Sequence, residues 1–487
     1  MVTKYAEQSA LSLIAGEPVT GKEEWEIRNP AKTSQVVGRV SVATLEHVDD
    51  AAQAAAKAAP EWAAVPVAER VAIASAAAAI IEQKAGDLGW DVLLTREQGK
   101  ILPEAVVEFA FAQIEAQYIN TVAEQVFADE VLDDGAGRRI STRVPVGPVA
   151  AITPWNAPVG LSALKLFPAL ICGNPVVLKP APTTPLAITR VVESIAHLFP
   201  PGALSVVHGG ADVAQALIHH DSIRKVSFTG SVANGKSVMR EASQGLKDVL
   251  LELGGNDAAI LLDDVVIDED FIEQLIGATF MSSGQICMAI KRVYVPQSRH
   301  DEFVTALSDG LAATVVGDGL DEDVTMGPVH NKMQYDRVRE LVEEARAAGA
   351  EITPLGRMQA GINADDGYFL LPSVVTNVPH STRLVVEEQF GPALPVIPYA
   401  TEDEAVRLAN STDYGLGSSV WSADADRAFT LSRELQAGAT WINAHNMSGL
   451  DISCAFGGFK QSGIGREFGL AGLEAYTEFR YLTNRMQ

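Results

Sequence analysis

The chain has 487 residues, of which 47% are hydrophobic, as in a globular protein of about three domains. Its formal net charge of −25 argues against unassisted binding to nucleic acid or to anionic membranes, which needs clusters of Lys and Arg. Three cysteines are too few for a disulfide framework, and no Cys or His spacing predicts a metal site. The amino terminus lacks the features of a signal peptide, so we expect a cytoplasmic protein.

Helices are predicted for residues 45–125, which are rich in Ala, Glu and Leu with apolar residues three to four positions apart. Residues 127–147 predict a β-hairpin, because two extended segments flank the turn sequence Asp-Asp-Gly-Ala-Gly. From residue 149 to about 440, short apolar runs alternate with helical patterns, which predicts βαβ units and mostly parallel sheets. The last residues predict an extended strand.

One uncharged stretch, residues 144–164, is long enough to raise the question of a membrane span. It contains four prolines and Asn156, which would break a spanning helix. We therefore interpret it as buried strand and loop.

Cys287, in the sequence MSSGQICMAI, is the first candidate for chemistry. A lone cysteine is more often a buried, inert packing residue than a nucleophile. The preceding Ser283–Gly284 pair permits a tight backbone, and a helix beginning here would stabilise a thiolate with its N-terminal amides.

Glu252 and Asn156 are polar residues in apolar surroundings. Burial of Glu252 would raise its pKa and suit a general base near neutral pH, whereas a strand-edge glutamate would face solvent. The adjacent Gly254–Gly255 pair allows close approach of another backbone or a ligand. Asn156 follows an apolar run and could donate to an oxyanion, or it could be a turn residue.

Four further features are candidates for a ligand site or a tight turn. FTGSVANG, residues 228–235, lies at a strand-to-helix junction that suits a phosphate, although it is not the GxGxxG fingerprint. Lys179 ends a predicted strand, where open α/β sheets bind ligands, but it could also be a solvated lysine. EEQFGP (387–392) pairs acid and aromatic groups before a turn, and the glycine-rich FGGFKQSGIGREFG (456–469) predicts a tightly turned segment.

Taken together and in this order, seven motifs resemble signatures of the aldehyde dehydrogenase superfamily: ITPWNAP, VVLKPAP, FTGS, LELGGND, GQIC, EEQFGP and FGGFKQSGIGRE. The resemblance extends from about residue 27 to the last strand. It implies an α/β fold with a Rossmann-type dinucleotide-binding domain, an α/β catalytic domain and a small β oligomerisation element. We expect these parts at 1–126 with 146–253, at 254–461, and at 127–145 with 462–487.

The resemblance also implies a chemistry for these residues. Cys287 would attack the aldehyde carbon, with the Asn156 side chain and the Cys287 N–H forming the oxyanion hole. Hydride transfer to the nicotinamide would leave a thioester, which water activated by Glu252 would hydrolyse. Lys165 would help position groups or relay protons. The expected activity is NAD(P)-dependent oxidation of an aldehyde to the free acid.

In the same family, Lys179 would contact the adenosine ribose, Ser231 the pyrophosphate, and Glu388 and Phe390 the nicotinamide end. The full expected cofactor set is Ile152, Thr153, Pro154, Trp155, Lys179, Gly209, Gly230, Ser231, Leu253, Glu388 and Phe390. NAD-preferring members often carry an acidic residue where this chain has Pro182. No arginine replaces it, so we expect NAD while NADP stays open.

The expected substrate pocket consists of apolar residues, namely Ala157, Leu161, Leu164, Ile286, Met288 and Phe456. Such a tunnel favours a medium-chain, terpenoid or aromatic aldehyde. The alternatives are a semialdehyde dehydrogenase preferring NADP, a CoA-acylating dehydrogenase, which would lack Glu252, and a structural protein retaining the fold. The resemblance implies a homodimer or homotetramer, and roles for Cys172 and Cys454 stay open.

Overall fold

Pro66 and two left-handed glycines divide the predicted helical stretch into four helices. Pro66 precedes the second helix, and Gly89 (φ 70°) and Gly99 (φ 104°) flank the third. The computed structural model describes residues 7–134 and 137–485. Its first elements are β1 (Gln8–Ala10), β2 (Ser12–Ile14), β3 (Glu17–Val19), β4 (Glu23–Asn29), β5 (Lys32–Val42), α1 (Leu45–Ala64), α2 (Val67–Asp87), α3 (Trp90–Gln98), α4 (Leu102–Val126), β6 (Glu130–Asp133) and β7 (Gly137–Pro145).

The alternation of strands and helices predicted after residue 149 is confirmed in two successive blocks. The first block contains β8 (Val149–Ile152), α5 (Gly160–Ile171), β9 (Val176–Lys179), α6 (Leu186–Ile195), β10 (Leu204–Val206), α7 (Ala211–His219), β11 (Lys225–Thr229), α8 (Val232–Ser243) and β12 (Asp248–Glu252). The uncharged stretch that begins at residue 144 thus contains a buried strand and a loop, as predicted, and it also includes the first turn of α5.

The second block follows without a linker. It contains β13 (Asp257–Leu261), α9 (Glu269–Phe280), β14 (Ile290–Pro296), α10 (His300–Leu311), β15 (Val315–Val316), α11 (Lys332–Ala347), β16 (Glu351–Pro354), β17 (Arg357–Met358), β18 (Ser373–Thr376), α12 (Arg383–Val386), β19 (Ala393–Tyr399), α13 (Glu402–Ala409), β20 (Gly417–Trp421), α14 (Ala425–Ser432) and β21 (Ala439–Ile442). The chain then adds β22 (Gly463–Ile464), α15 (Gly469–Glu474) and β23 (Thr477–Arg485).

The first block forms most of an eight-stranded sheet with the order β22-β12-β11-β8-β9-β10-β2-β3. Its five central strands, β12 to β10, are parallel, and their residues are largely buried because helices cover both faces. Strand order reverses around β8, which pairs with β9 on one side and β11 on the other. Such a switch point opens a crevice at the carboxyl ends of the strands, where ligands bind.

The second block forms a seven-stranded sheet with the order β16-β18-β19-β14-β13-β20-β21, parallel except at β16. Only residues 253–256 connect β12 of the first sheet to β13 of the second. The carboxyl end of one central strand is thereby joined directly to the amino end of the other, and this crossing positions the site.

A third sheet joins distant parts of the chain. β23 pairs antiparallel with β7 over its full length, and β7 pairs with β6. The predicted hairpin strands and terminal strand are thus confirmed, whereas residues 135–136 of the predicted turn lie outside the described residues. The role of this sheet in oligomerisation and the expected domain boundaries stay predictions. The described strands before residue 45, two of which flank β5 in a separate sheet, were not predicted.

No single described helix has both the length and the apolar composition of a membrane span; α1 and α2 meet that test only as a pair bent by 118°.

Candidate active site

The candidate site lies where the two large sheets face each other. The carboxyl edge of the first sheet contributes Asn156, which follows β8, Lys179, the last residue of β9, and Ser231, which follows β11. Segments before β14 and β19 contribute Cys287 and Glu388 from the amino edge of the second sheet. These five residues line one cleft of about 780 Å³.

The segment that carries Cys287 has an unusual backbone. After α9, Ser282 (φ 50°), Ser283 (φ 59°) and Gly284 (φ 73°) are successive left-handed residues. Such a conformation costs free energy in non-glycine residues, so it persists only where contacts fix it. The Glu104 carboxylate accepts from the Ser282 amide at 2.8 Å, and the Ser283 hydroxyl donates to the Gly327 carbonyl at 2.8 Å.

No helix begins at Cys287, a point that the sequence left open. Cys287 lies in a turn between the left-handed residues and β14, because the chain enters the strand three residues later. No helix dipole therefore supports a thiolate there. The pKa of Cys287 is raised to about 12, chiefly by burial; the carboxylates of Glu388, Asp257 and Glu252 contribute to the rise, and Lys291 opposes it.

Asn156 is buried, and its side chain is directed towards the segment that carries Cys287. Its Nδ2 donates to the Gln285 carbonyl at 3.0 Å, two residues before Cys287. The backbone carbonyl of Asn156 accepts a hydrogen bond from the ammonium of Lys100, which forms an ion pair with Glu108. The amide nitrogen carries a second N–H, for which the described residues provide no acceptor. Asn156 does lie in a bend, but its side chain is fixed and retains a donor at the cleft.

Glu252 is buried at the end of β12, so the solvent-facing alternative is wrong. Neither carboxylate oxygen has a hydrogen-bond partner among the described residues. Burial raises the pKa of Glu252 well above its usual value, Glu467 raises it further, and Lys165 and Arg466 lower it. A Cβ at Gly457 would lie 2.7 Å from Oε1, so the glycine-rich segment packs directly against this carboxyl group.

Lys165 does not line the cleft; it lies fully buried behind Glu252. Its ammonium pairs with the Glu467 carboxylate at 2.8 Å. Glu115 of α4 is also buried nearby, and burial together with the Glu467 charge raises its pKa well above the usual value. Sequence reasoning did not identify Glu115 or Glu467, although Glu467 stands as the acid in the glycine-rich segment.

Gly254 and Gly255 permit the close approach that the sequence predicts. A Cβ at Gly255 would lie 2.4 Å from the Cys287 carbonyl oxygen, and one at Gly254 would lie 2.3 Å from Glu388 Oε2. The Gly255 amide donates to Glu388 Oε1 at 3.1 Å. Burial raises the pKa of Glu388 to about 7. The crossing between the sheets therefore contacts both Cys287 and Glu388 and sets their separation.

The outer part of the cleft has the features of a dinucleotide site. Ser231 caps α8 by accepting from the Asn234 amide at 3.3 Å, and residues 231–234 line the cleft, so the helix N-terminus faces it. Lys179 is buried rather than solvated, and burial lowers its pKa to about 8. Trp155 packs edge-on against Phe390, with ring centroids 5.4 Å apart.

His330 was not predicted, yet it supports this wall. Its ring stacks on Trp155 at 4.7 Å and hydrogen-bonds to Thr183 at 2.7 Å and to the Gln98 carbonyl at 3.0 Å. Burial lowers the pKa of His330 to about 4, so the ring is neutral near pH 7. A lone histidine in the sequence gave no signal of this role.

Ten of the eleven predicted cofactor residues line the cleft: Ile152, Thr153, Pro154, Trp155, Lys179, Gly230, Ser231, Leu253, Glu388 and Phe390. Gly209 does not. A Cβ there would lie 2.4 Å from the Val213 side chain, so Gly209 packs against α7 while Gly210 lines the cleft. The roles of these residues in binding stay predictions.

The predicted substrate residues separate into three groups. Ile286, Met288 and Phe456 pack with Cys287 in a small apolar cluster that also includes Trp441, Leu416, Leu450 and Phe468. Leu161 lines the large cleft instead, whereas Ala157 and Leu164 belong neither to the cluster nor to the lining of the cleft. Phe456 stacks with Trp441 at 6.5 Å and packs edge-on against Phe468 at 6.1 Å.

The sequence profile of the aldehyde dehydrogenase family matches residues 18–482. A betaine aldehyde dehydrogenase of Brucella anthropi is 35% identical over 479 residues, which cover 98% of this chain and 97% of that protein. A glutarate-semialdehyde dehydrogenase of Pseudomonas putida is 35% identical over 460 residues, which cover 94% and 93%.

Solved structures are similar over the same extent. A betaine aldehyde dehydrogenase from Staphylococcus aureus in complex with NAD+ has a TM-score of 0.93 and 32% identity, covering 98% of this chain and 95% of that one. An NADP-dependent enzyme of E. coli has a TM-score of 0.93 and 31% identity, covering 98% of each chain. The predicted fold class is thereby confirmed.

Replacing Gly255 with alanine tests the close approach at the crossing. The new Cβ would lie 2.4 Å from the Cys287 carbonyl oxygen and 2.7 Å from Asp257 Oδ1, so we expect Gly255→Ala to lose at least ~100-fold in kcat/KM by displacing Cys287. Gly277→Ala is the matched control, because a Cβ on that α9 glycine meets nothing within 4 Å. Equal activity of the two variants, measured with the same aldehyde, would contradict this interpretation.

Proposed function

The chain belongs to the aldehyde dehydrogenase family, and we propose that it oxidises an apolar aldehyde to the free carboxylic acid with NAD+. The observation that carries the proposal is that Cys287 and Asn156 line one cleft while the desolvated carboxyl group of Glu252 lies within electrostatic reach of the thiol. A nucleophile, an oxyanion donor and a base with a raised pKa are the groups that a thioester mechanism requires.

In the first half-reaction the Cys287 sulfur attacks the aldehyde carbon. Charge then develops on the former carbonyl oxygen, where the second N–H of the Asn156 amide and the Cys287 backbone N–H donate. Because the Gln285 carbonyl fixes the Asn156 side chain, this donor needs little reorganisation during the reaction. Loss of a hydride from the adduct leaves the acyl group on Cys287 as a thioester.

In the second half-reaction Glu252 takes a proton from the water that attacks the thioester. Its raised pKa makes it a stronger base than an exposed glutamate. The buried Lys165–Glu467 pair lies behind it and adjusts the charge on that carboxyl group. A CoA-acylating reaction would need no such base, so Glu252 favours hydrolysis to the free acid over that alternative.

NAD+ fits the cleft by its chemistry. Lys179 and the N-terminal amides of α8 would hold the adenosine ribose and the pyrophosphate, and Glu388 and Phe390 would hold the nicotinamide end. When bound, the nicotinamide supplies a two-electron acceptor for hydride. Glu241 also lines the cleft, and the formal charge of −25 disfavours an additional phosphate, which supports NAD over NADP.

An apolar substrate is supported by the cluster around the thiol. Its members Met288, Leu416 and Phe456 are apolar, and Trp441 and Phe468 extend the wall. An apolar chain would be buried against these side chains, whereas a carboxylate would lose its hydration there. Burying each CH₂ of an aliphatic aldehyde there would contribute about 0.8 kcal/mol.

A second candidate substrate is an aldehyde that carries a quaternary ammonium group. The stacked Trp441 and Phe456 rings with edge-on Phe468 could attract such a cation through their π faces. Relatives named betaine aldehyde dehydrogenases give this candidate further support.

Glu252→Gln should separate the two half-reactions. The amide cannot activate water, so with NAD+ and an aldehyde we expect one burst of reduced nicotinamide, about one per active site, followed by turnover at least ~100-fold slower than wild type. Rapid-mixing absorbance measures the burst. Cys287→Ala is the companion variant and should give no burst. Normal steady-state turnover by Glu252→Gln would rule out its role as the base.

The raised pKa of Glu252 predicts a pH dependence. As a base it acts only when ionised, so kcat for a hydrolysis-limited substrate should fall as pH falls through a value well above the usual pKa of 4.5. Glu467→Gln removes a repelling carboxylate and frees the Lys165 charge, and both changes lower the pKa of Glu252. The acid limb should therefore move to lower pH. Glu434→Gln, at an exposed position, should leave it in place.

Substrate class is tested with purified protein and four aldehydes, namely hexanal, benzaldehyde, betaine aldehyde and glutarate semialdehyde, each with NAD+ and NADP+. We expect kcat/KM for hexanal or benzaldehyde with NAD+ to exceed that for the semialdehyde by at least ~10-fold, because the apolar side chains around the thiol would desolvate its carboxylate. A preference for betaine aldehyde would select the second candidate. A preference for glutarate semialdehyde would refute both.

A further inference from the structure

Lys291 is a buried lysine that the proposed mechanism does not use. It is the second residue of β14, four positions after Cys287, and only 1% of its surface is exposed. Its Nζ donates to the Gly284 carbonyl at 3.4 Å and to the Ile286 carbonyl. Both acceptors belong to the segment that leads into Cys287. The ammonium also lies 5.6 Å from the centroid of the Phe390 ring.

The charge of Lys291 is not neutralised by a direct ion pair. Among residues 7–134 and 137–485, no carboxylate oxygen lies within 4.0 Å of its Nζ. The titratable groups that face it are Glu388, Asp257 and Cys287, and His445 lies behind Asp257 at 3.5 Å. A buried cation without a direct counter-ion is costly, which disfavours it as a plain packing residue.

The nucleophile needs such a charge. With no helix N-terminus at Cys287, the described groups that act on its thiol are three carboxylates, Glu388, Asp257 and Glu252, and one cation, Lys291. The carboxylates oppose formation of a thiolate, and the cation favours it. A nearby positive charge is the usual alternative to a helix N-terminus for activating a cysteine.

We propose that Lys291 is a positioning residue that ties down the segment 284–286 and supplies the positive charge that makes the Cys287 thiolate accessible. Its two hydrogen bonds fix the segment, and one of them holds the ammonium at the Ile286 carbonyl, one residue before Cys287. The inference rests on the proposed role of Cys287 as nucleophile. Lys291 affects the reaction only through its effect on the Cys287 thiol.

Two substitutions separate charge from hydrogen bonding. Lys291→Gln keeps a donor for the carbonyls but is neutral, whereas Lys291→Arg keeps the charge. The measurement is the pH dependence of Cys287 alkylation by iodoacetamide without cofactor, followed by mass spectrometry of the Cys287 peptide. For Lys291→Gln we expect the profile to move up by about one pH unit, with roughly tenfold slower alkylation on its acid side. Lys291→Arg should retain the wild-type profile.

Lys225→Gln is the matched control, since Lys225 is also a buried lysine but lies in the first sheet. Circular dichroism and thermal midpoints establish that each variant is folded. A wild-type profile in folded Lys291→Gln would overturn the proposal, because hydrogen bonding alone would then account for the lysine. A shift of the alkylation profile in Lys291→Arg as large as that expected for Lys291→Gln would also overturn the proposal. The arginine variant therefore decides the question if Lys291→Gln does not fold.

The readout does not depend on turnover. If alkylation is independent of Lys291 while wild-type protein still oxidises aldehydes, the proposal about Lys291 fails and the proposed function stands. If the wild-type protein oxidises none of the tested aldehydes, the proposed function fails even where Lys291 shifts the alkylation profile.

Discussion

Removal of water from a small set of ionisable groups is the constraint on which this site depends. Glu252, Lys165, Glu467 and Lys291 are nearly inaccessible to solvent, so each one responds strongly to its neighbours. The same burial that makes Glu252 a stronger base makes Cys287 a weaker acid. A thioester mechanism needs both a basic carboxylate and a reactive sulfur. The positions of the positive charges near Glu252 and near Cys287 therefore matter as much as the identity of these two residues.

The fold achieves this distribution with one cation on each side. Lys165, from the first sheet's helix α5, lies with Glu467 behind the base. Lys291, from the second sheet's strand β14, lies beside the nucleophile segment. Residues 253–256 connect β12 to β13, and the lack of side chains at Gly254 and Gly255 lets Cys287 and Glu388 approach there. Geometry and electrostatics are thus set by the same crossing.

Much of the fold was predictable because parallel strands buried on both faces read as continuous apolar runs. Glu252, Asn156 and Cys287 could be named because polar residues in such runs need a reason. Glu115, His330 and Lys291 could not, since each becomes significant only through contacts far along the chain. The sequence left open whether a helix begins at Cys287, because it did not show that Ser282 and Ser283 adopt left-handed conformations that their residue type does not favour. Of the strands before residue 45, β1, β2 and β3 have three residues each, and the longer β4 and β5 are partly exposed, so their pattern was weak.

The crossing between β12 and β13 has a consequence for recombination of such proteins. The Gly254 and Gly255 positions contact Glu388 and Cys287, which belong to the second sheet, although the strand that delivers them belongs to the first. A chimera that took its first sheet from this chain and its second from a relative would have to transfer residues 253–256 together with the segments around 287 and 388. A chimera joined between these segments would combine Gly254 and Gly255 from one protein with the residues around 287 and 388 from another, and these contacts would then no longer match.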